Sequence, residues 1–142
     1  MIHPKKAIKP AIIANVNSLV TLAGTEYFPN FAGAVLFLED MHSPLSLVER
    51  RLRQIDMLGV FDDIKGLVFS KSERFDDEGA KMGYYELALE IISNGRDYPI
   101  VGDFDCGHTH PMITLAQGVS VSISASSAGE IASVTILERP VL

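Results

Sequence analysis

Three short apolar runs, at residues 34–38, 66–69 and 99–104, constrain this chain more than any other feature. Each is too short for a helix and lacks polar alternation, which is the pattern of a strand buried on both faces. Such strands belong in a parallel sheet covered by other layers. Amphipathic segments separate them. Ser43-Pro44 reads as a helix start, with Ser at the cap and Pro at the first helical position. Val48, Leu52 and Ile55 then recur at helical spacing, Glu49 can pair with Arg53, and Gly59 closes the segment. A further helix is expected over 84–93, with Tyr85, Leu89 and Ile92 on one face and Asn94-Gly95 after it.

The flanking regions read differently. Residues 1–10 hold three lysines, Pro4 and Pro10 and read as a linker or ragged start, leaving 11–142 as the folded domain. A short helix is expected from about Asn15, and residues 27–30 read as a turn. Near the other end, Val119, Val121 and Ile123 alternate with Ser120, Ser122 and Ser124, and a β-branched run follows at 131–137. This predicts a β-hairpin with one side facing water. The expected fold class is α/β, with a partly parallel sheet and a C-terminal β-hairpin.

All three apolar strands end in polar, ionisable residues: Glu39-Asp40, Ser72-Glu73, and Asp105 to His110. In open α/β sheets, ligands bind outside the carboxyl ends of the strands, so three such clusters at one edge can build one site. The plainer reading is that polar loops begin where strands end.

His108-Thr109-His110 admits several chemistries. Two histidines one residue apart can bind a metal, aided by Asp105, Cys106 or Glu39. One histidine can instead be a general base oriented by a carboxylate, with Glu39 the natural partner. A structural loop histidine is the third reading. Gly107 suits an active-site loop and an ordinary turn equally well. Cys106 reads as a small buried packing residue, Asp76-Asp77-Glu78 as a solvated loop without calcium-loop spacing, and His3 and His42 as surface residues. The chain has no Gly-x-Ser-x-Gly turn, no phosphate loop and no dinucleotide fingerprint.

Bulk properties narrow the partners. A formal net charge of −6 on 142 residues argues against nucleic acid and anionic membrane surfaces as partners, which both need a basic footprint. The single cysteine cannot form an internal disulfide, and residues 1–10 have no apolar run behind them of the kind a secretory leader carries. The expected location is the cytoplasm.

The string Val35-Leu36-Phe37-Leu38-Glu39-Asp40, then Val48-Glu49-Arg50, then Leu58-Gly59-Val60-Phe61-Asp62 resembles the start of the second domain of the LD-carboxypeptidase and microcin-immunity serine carboxypeptidases. Phe104 through Leu115 resembles that family's Gly-His-x-x-Pro-x-x-Thr-Leu-Pro-x-Gly signature, and residues 15–29 its Gly-Gly-Asn-Leu…Gly-Thr-x-Tyr-x-Pro segment. The paired glycines are replaced by Ile13-Ala14, and the signature's later proline by Ala116. Within the family, the form Cys-x-His-Thr-His-Pro-Met and the acidic loop are most similar to the microcin C self-immunity branch.

The resemblance implies a swivelling β/β/α domain in which Glu39 is the triad carboxylate, His108 the general base, and Glu73 a contact for a substrate amino group. It implies no metal and no organic cofactor. It also implies that the serine and oxyanion donors belong to a first domain missing from this chain, so that the chain alone is inactive. Substrates would be an aminoacyl-nucleotide amide or, in the LD-carboxypeptidase branch, a murein peptide. A homodimer is expected, since removing a domain exposes the surface it covered. A catalytically silent binding or self-association module is the alternative from another class.

Overall fold

The computed structural model describes residues 5–125 and 132–139. In chain order the elements are β1 (Lys5–Asn15), α1 (Val16–Thr21), β2 (Val35–Glu39), α2 (Leu45–Met57), α3 (Val60–Asp63), β3 (Gly66–Ser70), α4 (Tyr84–Ile92), β4 (Ile100–Phe104), β5 (Ser120–Ala125) and β6 (Ser133–Ile136). The strands follow the order β4-β3-β2-β1-β5-β6. β1 to β4 are parallel neighbours, while β5 runs antiparallel to both β1 and β6.

The three apolar runs are strands, and β2 and β3 are buried along their whole length. Their side chains alternate between two cores. Leu36, Leu38, Leu67 and Phe69 face the helices, where they meet Val48, Leu52 and Ile55 of α2 and Leu87, Ala88 and Ile92 of α4. Val35, Phe37 and Val68 face the other way, onto Val121 and Ile123 of β5. That second core is tight: a Cβ at Gly66 would lie 2.5 Å from Ile123 Cδ1. Helices therefore cover one side of the parallel sheet and a second β layer covers the other, which is the expected β/β/α arrangement.

β1 makes this possible because it belongs to both layers. Residues Ala11 to Asn15 pair with β2, and Lys5 to Pro10 pair with β5. The linker expected over 1–10 is thus wrong for 5–10, which are strand; residues 1–4 lie outside the described residues. Pro10 sits where the chain passes from one ladder to the other, a place where its missing N–H is tolerated. Beyond that point β1 finds substitutes for a neighbouring strand. Ala11 N donates to Val119 O at 2.9 Å, Gly118 N donates to Ala11 O at 2.8 Å, and the Gln117 amide grips Ile13 N and Ile13 O at 2.9 and 2.5 Å.

The helices follow local rules only in part: α4 buries Tyr84, Leu87, Ala88, Ile91 and Ile92, not the face of Tyr85, Leu89 and Ile92 that spacing suggests. α2 buries Val48, Leu52 and Ile55, as the spacing predicts, and Arg53 pairs with Glu49 at 2.7 Å. Gly59 adopts the left-handed conformation after the helix, at φ 79°. Ser43, however, does not cap α2. Pro44 is the N-cap, and Ser43 Oγ instead donates to the buried Asp40 Oδ1 at 2.9 Å. A carboxylate inside the protein needs a donor more than a helix end near solvent does. Arg96 joins the helical side together. It pairs with Asp56 at 2.5 Å and Asp62 at 2.8 Å, donates to Ile92 O, and lies 5.8 Å from the Phe61 ring centroid.

β5 and β6 pair antiparallel as a hairpin requires, and the connecting residues 126–131 lie outside the described residues. Among the described residues no helix is long and apolar enough to cross a membrane.

Candidate active site

The carboxyl ends of β1, β2, β3 and β4 lie side by side, so Asn15, Glu39, Ser70 and Phe104 mark one edge of the sheet. Glu39 ends β2 with its side chain only 10% exposed. From the loop after β4, the His108 ring reaches it, with Nδ1 2.5 Å from Glu39 Oε1. The second carboxylate oxygen, Oε2, accepts from Asn15 Nδ2 at 2.7 Å. An ionised carboxylate only accepts, so this arrangement assigns the ring proton to Nδ1 and leaves the Nε2 lone pair available as a base. Nε2 has no hydrogen-bond partner among the described residues, and the ring is 53% exposed on the open side of the site.

The loop that carries His108 is pinned at several points. Ile113 N donates to Asp105 O at 3.0 Å and closes the loop, which contains a cis His110-Pro111 bond. Lys71, just past β3, forms a short ion pair with Asp105 and donates its backbone N–H to Phe104 O at 3.1 Å. Gly107 has φ 105°, and a Cβ there would run into Glu39, 3.1 Å from its Cδ and closer to its Cγ. The glycine is thus required by close approach to the carboxylate as well as by the turn.

Behind Glu39 the site is apolar and tightly filled. Asp40 is completely buried, and burial raises its pKa despite the Ser43 hydroxyl and the Arg51 charge. Tyr84 packs edge-on against Phe69 and Phe75, and burial, followed by the nearby carboxylates, pushes its phenol far up. Cys106 is buried, and burial together with Glu39 and Asp105 pushes its thiol up to about 11. A thiol held there is neutral and packs as a small apolar group, as its sequence context suggests.

Glu39 and His108 are therefore brought into contact, whereas Glu73 makes no contact with either of them. Its backbone does bind the segment after Glu39: Glu73 O accepts from His42 N at 2.8 Å. Its side chain is 39% exposed and lies 3.8 Å from Arg74 Nε. Among the described residues no group of three or more His, Cys, Asp and Glu is placed to hold a metal ion. Sequence reading missed Asn15, Lys71 and Tyr84 as parts of the site. Asn15 alone carried a usable signal, as the first residue of the segment at 15–29 that resembles the family's Gly-Gly-Asn-Leu motif.

A buried glutamate that holds an exposed histidine at an open sheet edge is an arrangement suited to acid–base chemistry. Comparison with known proteins narrows this. Residues 10–123 match the LD-carboxypeptidase C-terminal domain, and the chain belongs to that family. It is 36% identical over 110 residues to the microcin C7 self-immunity protein MccF of Escherichia coli, a match covering 77% of this chain and 32% of that protein. The structure of MccF in complex with glutamyl sulfamoyl guanosine superposes with a TM-score of 0.78 at 33% identity, over 87% of this chain and 39% of that one. The muramoyltetrapeptide carboxypeptidase of Oxalobacter formigenes superposes with a TM-score of 0.75 at 28% identity, over 89% of this chain and 44% of that one. The chain thus spans about a third of the length of the curated relative it matches.

Proposed function

We propose that this chain supplies the general base and its orienting carboxylate to a serine carboxypeptidase or amidase of the microcin C immunity type. The contact between His108 Nδ1 and Glu39 Oε1 at 2.5 Å carries the proposal. In the proposed reaction Glu39 holds the imidazole in one tautomer and stabilises its cation. His108 Nε2 takes the proton of a serine hydroxyl as that oxygen attacks an amide carbonyl, and later protonates the departing amine. The serine and its oxyanion donors come from a nucleophile domain outside these residues. Met112 and Ile113, 59% and 44% exposed beside the His108 loop, suit a surface that meets another domain or a second copy of the chain.

The substrate is a small amide with a free α-amino group. Glu73 lies on the loop that follows β3 at the same sheet edge, and its part-exposed carboxylate, held only loosely by the exposed Arg74 at 3.8 Å, can pair with an ammonium by a strong, charge-assisted bond. MccF was solved with glutamyl sulfamoyl guanosine, an aminoacyl-nucleotide analogue, which favours this substrate class over a murein peptide. The likeness to a muramoyltetrapeptide carboxypeptidase supports the murein peptide as second reading.

The test joins this chain to the first domain of a relative and assays aminoacyl sulfamoyl nucleosides and murein tetrapeptide. The chain alone is expected to give no turnover, since losing the nucleophile of a triad costs about six orders of magnitude. The joined enzyme is expected to be active, and His108→Ala to abolish that activity. Glu73→Ala is expected to weaken use of free-amino substrates roughly 30- to 150-fold and to leave acetylated ones nearly unchanged. Turnover by the chain alone, or by the joined His108→Ala enzyme, refutes the proposal. Equal loss on free and acetylated substrates removes Glu73 from the substrate site.

A further inference from the structure

His108 uses one oxygen of Glu39, and the other belongs to Asn15. Asn15 Nδ2 donates to Glu39 Oε2 at 2.7 Å, while Asn15 Oδ1 accepts from Ser18 N at 3.1 Å. A backbone N–H can only donate and a carboxylate oxygen accepts, so these two partners fix which way the amide points. The two residues are also direct neighbours in the sheet. Asn15 ends β1, Glu39 ends β2, and they are register partners across the parallel pair. One side chain thus anchors α1 through its oxygen and the site carboxylate through its nitrogen.

The nitrogen contact matters because a glutamate side chain has three rotatable bonds and a broad terminal torsion. Packing confines the stem of Glu39: its residue is 7% exposed, and Gly107 leaves no room on one side. Packing does not choose how the carboxylate plane turns. Among the described residues only Asn15 and His108 bond its oxygens, and His108 is on the exposed side.

We propose that Asn15 is a positioning residue, which turns the Glu39 carboxylate so that Oε1 meets His108 Nδ1 and thereby sets the imidazole tautomer. It acts through Glu39 and touches no reacting atom. The inference rests on the reading of Glu39 and His108 as orienter and base, and the experiment separates failure of the one from failure of the other.

The decisive variant is Asn15→Ser. Serine caps helices about as well as asparagine, so α1 keeps its start, but its hydroxyl is too short to serve Ser18 and Glu39 together. Asn15→Asp is the second variant, since it keeps the capping oxygen and sets an acceptor against Glu39 where a donor stood. Imidazole ¹⁵N spectra of the full chain report the tautomer and the exchange of the Nδ1 proton, and thermal unfolding reports the cap.

In the native chain His108 is expected almost wholly as the Nδ1–H tautomer, with a protected, downfield proton. Thermal unfolding is expected a few degrees below native in Asn15→Ser and lower still in Asn15→Asp, where two carboxylates face each other, with both chains folded at the temperature of the spectra. Their Nδ1 proton is expected to exchange about tenfold faster, the factor that losing ~1.4 kcal/mol of hydrogen bonding gives, with the second tautomer appearing. A native His108 spectrum in Asn15→Ser overturns the proposal, and so does one in folded Asn15→Asp. Glu39→Gln is the control. If it changes the His108 spectrum while the Asn15 variants do not, only the positioning role fails. If Glu39→Gln leaves His108 native as well, the pairing of orienter and base fails with it.

Discussion

Replacing Gly107 by alanine tests whether the site is held together by close packing or only by the hydrogen bonds on its surface. Two costs arise. The backbone at φ 105° disfavours any L side chain by about 1–3 kcal/mol. The new methyl group would also sit 3.1 Å from Glu39 Cδ and 3.3 Å from its Oε1, and overpacking of this kind costs roughly another 1–3 kcal/mol. Glu39 can relieve the second cost only by swinging away, which gives up its bonds to His108 and Asn15. Gly118→Ala separates the two terms. Its φ is 79°, but nothing lies within 4 Å of the added carbon, so it reports backbone strain alone.

Urea and thermal unfolding measure both variants. Gly118→Ala is expected to lose about 1–3 kcal/mol and Gly107→Ala about 2–6 kcal/mol, with each kcal/mol lowering the melting temperature by roughly 2–4 °C in a domain of this size. In an enzyme rebuilt with a nucleophile domain, Gly107→Ala is expected to slow turnover about a hundredfold, the usual penalty for displacing a reacting group by an ångström. If Gly107→Ala melts no lower than Gly118→Ala and His108 keeps its native spectrum, the close-approach argument is wrong.

Three further results are expected. Asp40 has a raised pKa in the folded state because burial disfavours its charge, so its stabilising contribution is complete below its unfolded value near 3.8 and is lost as pH rises through the higher folded value. Asp40→Asn keeps an acceptor for Ser43 Oγ, so it is expected to raise stability at pH 7 by about 1 kcal/mol, with the gain vanishing at acid pH in unfolding curves across that range. Arg96→Met removes two carboxylate partners from a side chain only 14% exposed, and a loss of about 2 kcal/mol is expected by urea unfolding, since Asp62 is largely in solvent. Cys106, buried and with its thiol pushed up to about 11, is expected to react with a thiol reagent at pH 8 at least about a hundredfold more slowly than after unfolding.

The parts of the fold legible in the sequence were those specified by short-range pattern. β2 and β3 announce themselves because both faces are buried, so every residue before the closing Glu39 and Ser70 is apolar; α2 does so because Val48, Leu52 and Ile55 recur at helical spacing. The first strand stayed hidden for a physical reason. Between Lys5 and Pro10 its partner is β5, its exposed positions include Ile8, Lys9 and Pro10, and nothing local separates this from a linker. Gln117 was equally silent, because the backbone it grips is at Ile13, more than a hundred residues earlier in the chain. At the site, polar clusters at strand ends pointed to the right edge, and the resemblance paired Glu39 with His108. Ser43 misled, because a helix-start rule reads neighbours in sequence while a buried carboxylate at Asp40 competes for the same hydroxyl. Asn15 was read as a helix start and as the first residue of the resembled segment at 15–29, with no role in the site, since its second hydrogen bond exists only once β1 lies beside β2.

The split allegiance of β1 also orders events in time. Its second half pairs with β2, whose residues follow within the next two dozen or so, whereas its first half pairs in a register that joins residue 5 to residue 125. Closing that long loop is the slow, entropically costly contact in such a topology, and on the ribosome it waits until residue 125 has emerged. Until then half a strand stands with its hydrogen-bonding groups unanswered, which is the condition under which chains pair with the wrong neighbour. Lys9 and Pro10, which make this stretch so unlike a strand on paper, are the kinds of residue that discourage such mispairing. The composition that conceals the strand from a reader of the sequence guards it while it waits for β5.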